Sequence, residues 1–527
     1  MRKRIIPYIL TIAVGVSVSV SSCTDLDEEV YDQLLADKFN PTENDIGAVI
    51  APVYTILRPM MMGWQPYFDV QEESADIIVT PVRPNGWYDG GTYQRMHRHT
   101  WSSLEWQPTN LWNNCYNGIN SANRVIYQIE SGEIPITQGQ ENLIAELKTA
   151  RAFYYSILCD NHGNVPIVTD YTATELPQQS SRQEVYDFVV KELNENIPLL
   201  SEEAGKSTYG RFNKWAAKAV LAKMYLNAEV YTGTPAWDKC IQECNDIINS
   251  GAYMLEPNYR DNFKTDNEGS RENIFVVPYD ENLATGFIMH MKTLDPLSQQ
   301  VYKMEAQPWG GNCAIPQFIN TYDPEDGRLK ATWIQGKQYT PEGKEIIDYT
   351  KQVDGIEMAA SNQGYRMGKY EIKLGARGNL SNDFPVFRYA EVLMMKAESL
   401  LRQGQADEAA AIVTEVRQRA FKDTDPEKAV VTGQELIKGS TYNYGYWENG
   451  QVKNAEGGAD IQFGRFLDEL GWEFAAEAHR RQDLIRFGVF TTKTWFNHQP
   501  NGADKILFPI PDAEINKNPN LKQNPGY

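Results

Sequence analysis

Residues 388–421 read RYAEVLMMKAESLLRQGQADEAAAIVTEVRQRAF, and the spacing of their apolar side chains decides the fold class. On either side of Gln403-Gly404-Gln405 the apolar positions recur every three to four residues, the period of a helix that buries one face. The spacing predicts helices over 386–403 and 406–421. Ala397, Leu400, Gly404, Ala409, Ala410 and Val413 fall where small and large side chains of an antiparallel pair would interlock.

The same period recurs over 43–58, 105–130, 139–160, 182–200, 212–230, 236–250 and 472–487, so the chain reads as mainly α. Trp215 to Val230 followed by Trp237 to Ile248 forms a second pair with a short polar joint. These pairs look like tetratricopeptide hairpins, although no strict repeat period is present and unrelated helical hairpins remain an alternative. Three stretches rich in Gly, Pro, Asn, Asp and aromatics, about 59–104, 255–385 and 440–464, interrupt the pattern. Functional loops concentrate in such segments. No Ser- or Pro-rich linker separates them from the helices, which points to one domain over 23–527.

Met1 to Arg4 carry positive charge and Ile5 to Val20 form a mostly apolar, uncharged run, the pattern of a signal peptide over 1–22. The run is short for a membrane span. Val20-Ser21-Ser22-Cys23 resembles a lipobox, which makes Cys23 the expected site of lipidation; several acyl chains hold a protein on a membrane where one binds only reversibly. The acidic run Asp25 to Glu29 resembles the surface-export signal of Bacteroidetes lipoproteins and implies attachment to the outer face of the outer membrane.

The formal charge of −20 becomes −23 once Arg2, Lys3 and Arg4 are removed, and such a surface repels polyanions. Nucleic acid and strongly sulfated or uronate-rich polymers are poor partners for it. Cys115, Cys159, Cys240, Cys244 and Cys313 are odd in number and lack zinc-like spacing, so they read as small core residues. His97 and His99 would share a face of a strand, but two ligands rarely make a metal site. No metal and no cofactor is expected.

Five stretches in order resemble the SusD/RagB family. Leu111, Trp112, Tyr116, Ile119, Ala122 and Asn123 resemble its W-x3-Y-x2-I-x2-AN helix, and Ala145, Glu146, Arg151, Ala152, Tyr154 and Tyr155, with Gly163, Val165 and Pro166, its RA-x-YY helix and G-x-VP turn. Arg388 to Glu398 resembles RYAEVLLM-x-AE, Glu473, Glu477, Arg480, Asp483, Leu484 and Arg486 the E-x3-E-x2-R-x2-DL-x-R helix, and Pro509 to Tyr527 the PIP…QNPGY terminus. Tyr322 to Leu329 departs from the family's D-x-R-DPRL, which puts that loop's geometry in question. The resemblance implies a helical outer-membrane lipoprotein that binds glycans or other nutrients beside a SusC-type TonB-dependent transporter and does no chemistry. The charges of the 473–486 motif then read as an ion-pair network rather than as paired catalytic acids.

Sugar capture needs aromatic faces for C–H patches and a few directed polar groups for hydroxyls. The first loop stretch offers Trp64, Tyr67, Asn85, Trp87, Tyr88 and Tyr93, with glycines beside Trp87 and Tyr88 that permit a projecting turn. The middle stretch offers Trp309 beside Gly310, Gly311 and Asn312, together with Phe287. Tyr442, Tyr444, Tyr446 and Trp447 form a rival platform. The expected ligand is a neutral glycan; the alternatives are a non-sugar nutrient such as peptide and, lower, a glycoside hydrolase, which would require two suitably spaced carboxylates.

Overall fold

The computed structural model describes residues 43–62, 66–448 and 450–527. The signal peptide, Cys23 and Trp64 lie outside these residues. The principal helices are α1 (Glu43–Thr55), α2 (Pro66–Glu72), α3 (Thr92–His97), α4 (Trp106–Glu130), α5 (Gln140–Asn161), α6 (Arg182–Asn196), α7 (Lys214–Leu226), α8 (Trp237–Ser250), α9 (Tyr389–Arg402), α10 (Ala406–Phe421), α11 (Gly464–Phe474) and α12 (Arg480–Arg486). Short strands β1 (Ile78–Val79), β2 (Asn273–Val277), β3 (Cys313–Ala314) and β4 (Phe384–Arg388) form two antiparallel pairs, β1 with β3 and β2 with β4.

The helices stack in series, α4 on α5, α5 on α6, α7 on α8, α8 on α9 and α9 on α10. Local chemistry sets their ends. Ser181 and Glu184 form a reciprocal capping box at the start of α6, and Asn213 caps α7 by accepting from the Ala216 N–H. Gly251 ends α8 in the left-handed region, at a φ of +66°. The close approach of α4 to α5 requires Gly118, where a Cβ would lie 2.3 Å from the Tyr154 ring. On the same pair, Arg151 donates to Asn123 Oδ1 at 2.6 Å and to Glu192 Oε2 of α6 at 3.0 Å, which joins one polar residue of each sequence motif.

One contiguous apolar cluster runs from Ile50 to Leu521. Cys115, Cys159, Cys240, Cys244 and Cys313 are buried free thiols within it. His97 ends a helix rather than lying in a strand, and it packs edge-on to Phe496 and to His498, which His99 meets from another side. Among the described residues no His, Cys, Asp or Glu cluster is arranged to hold a metal ion.

Two expectations fail in the backbone. Residues 386–388 belong to β4, so the helix begins only at Tyr389. The helix predicted over 472–487 breaks after Phe474 and restarts at Arg480, with Ala476 and Ala478 at φ +65° and +63°. Each left-handed alanine costs about 1–2 kcal/mol. Tertiary hydrogen bonds offset that cost. Lys369 Nζ donates to the carbonyls of Glu473 and Ala475 at 3.1 and 2.8 Å, and the Tyr259 hydroxyl reaches Glu473 O at 2.7 Å.

The motif acids of this region do form ion pairs, buried and built mainly across the chain, with Asp483–Arg486 as the pair along a helix. Glu473 pairs with Arg388 at 2.8 Å, Arg419 at 2.6 Å and Arg328 at 3.1 Å, while Arg388 also holds Glu477 and Glu272, each at 2.7 Å. Burial alone would raise the Glu473 carboxyl, but Arg419, Arg388 and Arg328 outweigh it and hold the group well below the usual carboxylate range. Arg486 pairs with Glu398 and Asp483, both at 2.7 Å. Arg480 reaches back to Asp76 at 2.7 Å. The departing loop at 322–329 joins the same network, since Asp326 caps the following turn and binds Arg328 at 2.7 Å.

Candidate functional site

Two loops converge on one surface cleft. In the first, Gly86 N–H donates to Arg83 O at 2.9 Å and Arg83 N–H to Trp87 O at 3.1 Å, closing a turn that ends on the indole. Gly86 sits there at φ +93°, a conformation open to glycine and strained for other residues. The second loop is pinned where Trp309 N–H donates to Met291 O at 2.7 Å and Gly311 N–H to Lys292 O at 2.6 Å. Asn85 fastens one loop to the other, its Nδ2 donating to Trp309 O at 2.8 Å and its Oδ1 accepting from Trp87 N–H at 3.3 Å.

The result is a stacked pair of half-buried indoles, Trp87 and Trp309, with centroids 6.3 Å apart and planes inclined by 28°. Gly311 makes the packing possible, because a Cβ there would lie 3.0 Å from the Trp87 ring. The open cleft beside them has a volume of about 520 Å³ and is lined by Asn85, Trp87, Tyr88, Asp89, Gln307 and Trp309, with Gly86, Pro296 and Pro308. Tyr88 is 53 % exposed. Among these lining residues none is cationic, and Asp89 is the one carboxylate. Partial burial raises the Asp89 carboxyl, with Lys292 opposing. Flat apolar faces edged by an amide, a phenol and a carboxylate suit a ligand with C–H patches and hydroxyls, and they offer nothing to neutralise an anion.

The other expected site residues lie elsewhere. Tyr93 is fully buried behind Trp87, its centroid 6.2 Å from that indole and its hydroxyl donating to Asp69 at 3.0 Å, so it supports the site from within. Asn312 is likewise buried, donating to Glu73 at 3.1 Å. Phe287 is a core ring edge-on to Tyr279 and Tyr370, at 5.5 and 5.0 Å. Tyr67 lines a separate internal gap beside Asp160 and His479. The rival platform is dismantled too. Tyr442 and Tyr444 are buried and stacked at 4.2 Å, with their hydroxyls on Asp76, and Trp447 Nε1 donates to Val353 O at 2.7 Å.

Comparison with known proteins identifies the family of the chain. Residues 219–527 match the SusD family, and residues 26–226 match a family described as "Starch-binding associating with outer membrane". The chain belongs to the SusD family. It is 26 % identical over 436 residues to the starch-binding protein SusD of Bacteroides thetaiotaomicron, a match spanning 73 % of this chain and 72 % of that protein. Solved structures share the fold, two of them as follows. A SusD superfamily protein from Parabacteroides distasonis gives a TM-score of 0.71 at 19 % identity, covering 92 % of this chain and 100 % of the other. Surface glycan-binding protein A from Bacteroides uniformis gives 0.67 at 20 % identity, covering 92 % and 99 %.

In this SusD family member the sequence reading missed a buried layer beneath the cleft. Lys292 pairs with Asp69 at 2.6 Å and Glu73 at 2.8 Å, and all three side chains are completely enclosed. Burial raises the Asp69 carboxyl, Lys292 opposes the rise, and neighbouring Glu73 adds to it. Lys292 lies on the single helical turn Met289–Thr293 within a stretch read as loop, and no sequence signal joins it to acids more than two hundred residues away.

Proposed function

We propose that this protein captures a neutral glycan on the Trp87–Trp309 face and presents it to a SusC-type TonB-dependent transporter at the outer membrane. The observation that carries the reading is the stacked indole pair heading an open cleft whose lining residues include no cation. An indole face stacks on the C–H patches of a pyranose, while Tyr88, Asp89 and Gln307 supply acceptors and donors for hydroxyls at the rim. The starch-binding and surface glycan-binding names of its relatives support the same ligand class. A lipid anchor at Cys23, following the signal peptide of 1–22, would tether the domain of 23–527 to the outer face of the membrane. The single carboxylate of the cleft favours binding over hydrolysis, because a glycosidase needs an acid and a second carboxylate on opposite sides of the scissile bond.

The test uses the purified soluble chain and a panel of neutral and anionic polysaccharides. Retardation in affinity gels containing a neutral glycan, without release of reducing ends, is the expected result. Release of reducing ends would assign an enzyme, and no retardation on any glycan would favour a non-sugar nutrient. Acyl labelling of the wild type and its loss in Cys23→Ala tests the anchor. Co-purification with a transporter barrel from mild detergent tests the partner.

A further inference from the structure

We propose that Lys292 is a positioning residue that sets the indole pair, by fastening the Trp87 loop and the Trp309 loop to the same two buried carboxylates. Its consequence for glycan capture rests on the ligand reading of the cleft.

Two chains of contact leave the Lys292 ammonium. Through Asp69 the first reaches the Tyr93 hydroxyl at 3.0 Å, and the Tyr93 ring, itself 4.3 Å from Lys292 Nζ, backs the Trp87 indole. Through Glu73 the second reaches Asn312 Nδ2 at 3.1 Å, at the end of the Trp309 loop, while Thr80, just before the Trp87 loop, donates to both Glu73 oxygens at 2.8 and 2.9 Å. The Lys292 backbone adds a third tie, its carbonyl accepting from Gly311 N–H at 2.6 Å. One residue thus holds both loops from below while Asn85 joins them from above. Three enclosed charges are a poor way to gain stability, since apolar groups of similar volume often serve as well or better. They are a precise way to fix direction, because each carboxylate oxygen has a defined donor and the ammonium bridges both acids.

The experiment reads the pair without any ligand. Two stacked indoles couple their transitions, so the circular-dichroism spectrum of wild type minus that of Trp309→Phe isolates an exciton couplet from the background of the other tryptophans. Lys292→Met, differenced against Lys292→Met/Trp309→Phe, is expected to lose most of that amplitude while keeping the helical signal. Retardation by the neutral glycan that binds wild type should weaken more than about tenfold. Should Lys292→Met fail to fold, the single-arm variants Tyr93→Phe and Asn312→Ala are each expected to reduce the couplet several-fold with a cooperative melt retained. A neutral replacement that removes the Lys292 bonds but keeps an acceptor for Tyr93, Thr80 and Asn312, Lys292→Met/Asp69→Asn/Glu73→Gln, is expected to restore part of it. An undiminished couplet in folded Lys292→Met, or in both single-arm variants, overturns the proposal. Failure of the wild type to bind any glycan while these couplet changes occur would instead refute the ligand reading and leave the positioning role standing.

Discussion

A methyl group added at Gly311 enters the van der Waals shell of the Trp87 indole. The Cβ of Gly311→Ala would lie 3.0 Å from Cε2 and Cζ2 of that ring and 2.9 Å from Lys292 O. Carbon contacts settle near 3.5–4.0 Å, so something must retreat by about half an ångström or more. The backbone is poorly placed to yield, because Gly311 N–H is bonded to Lys292 O at 2.6 Å and Gly311 O accepts from Arg83 Nε at 3.2 Å. The indole is the softer party, and its displacement disturbs the stack with Trp309. Overpacking of this kind costs about 1–3 kcal/mol of stability, which in a chain of this length lowers the melting temperature by only a few degrees. A misplaced aromatic anchor is expected to cost at least about 1.4 kcal/mol of binding, a tenfold loss. Titration calorimetry with the glycan that binds wild type measures it, and a double-mutant cycle locates it. In a Trp87→Ala background the methyl has no ring to push and only the contact with Lys292 O remains, so its effect on binding should shrink to a minor part. An equal loss in both backgrounds would refute the steric route through Trp87.

Truncating either indole, in Trp87→Ala or Trp309→Ala, should weaken glycan binding more than about tenfold, as read in affinity gels. Because both rings are half-buried, each change should also lower stability by about 1–2 kcal/mol, less than the loss for a fully buried aromatic. Glu473→Gln leaves Arg388, Arg419 and Arg328 short of a charge partner in an enclosed network and should cost about 3 kcal/mol or more, measured as a lower denaturant midpoint; an unchanged midpoint would contradict the network's role. His97 carries two buried ring nitrogens without a partner among the described residues, and burial, with lesser contributions from His99 and Arg98, lowers its titration from 6.5 to about 3. Between those values the unfolded chain binds the proton and the folded one does not, so this histidine erodes stability as the pH falls from 6.5 toward 3. His97→Phe should therefore be nearly neutral at pH 7.5 and progressively stabilising relative to wild type below pH 6, in melts recorded across that range.

Where local pattern governs, the sequence was legible almost to the residue. The helix expected over 406–421 is α10, Ala406–Phe421, because its apolar stripe and a turn at Gly404 act within one hairpin. The run 472–487 misled because the ligands of its broken backbone, Lys369 and Tyr259, stand more than a hundred residues upstream. The first loop stretch also hides α2, whose burial on both polar and apolar sides erases any amphipathic stripe. In the site, glycines flanking Trp87 and Trp309 announced rings close to a permissive backbone, and those two rings meet. Tyr93, Phe287 and Asn312 carried the same local signals but are enclosed by packing that their neighbours in sequence do not encode.

The tie between Asp76 and Arg480 bears on the order in which this chain can fold. Tyr444 donates to the same carboxylate at 2.7 Å, and Trp101 Nε1 donates to the Tyr527 hydroxyl at 2.5 Å. Each contact spans more than three hundred and fifty residues. The helical stack from α4 to α8 can assemble from neighbours, but Asp76 lacks its Arg480 partner until synthesis is nearly finished. Closure of such distant contacts is slow because the entropy of the intervening chain is lost before any contact forms. Shortening the chain before Arg480 would thus strand a finished helical array around an open, charged seam, a species poised to aggregate rather than a smaller working protein.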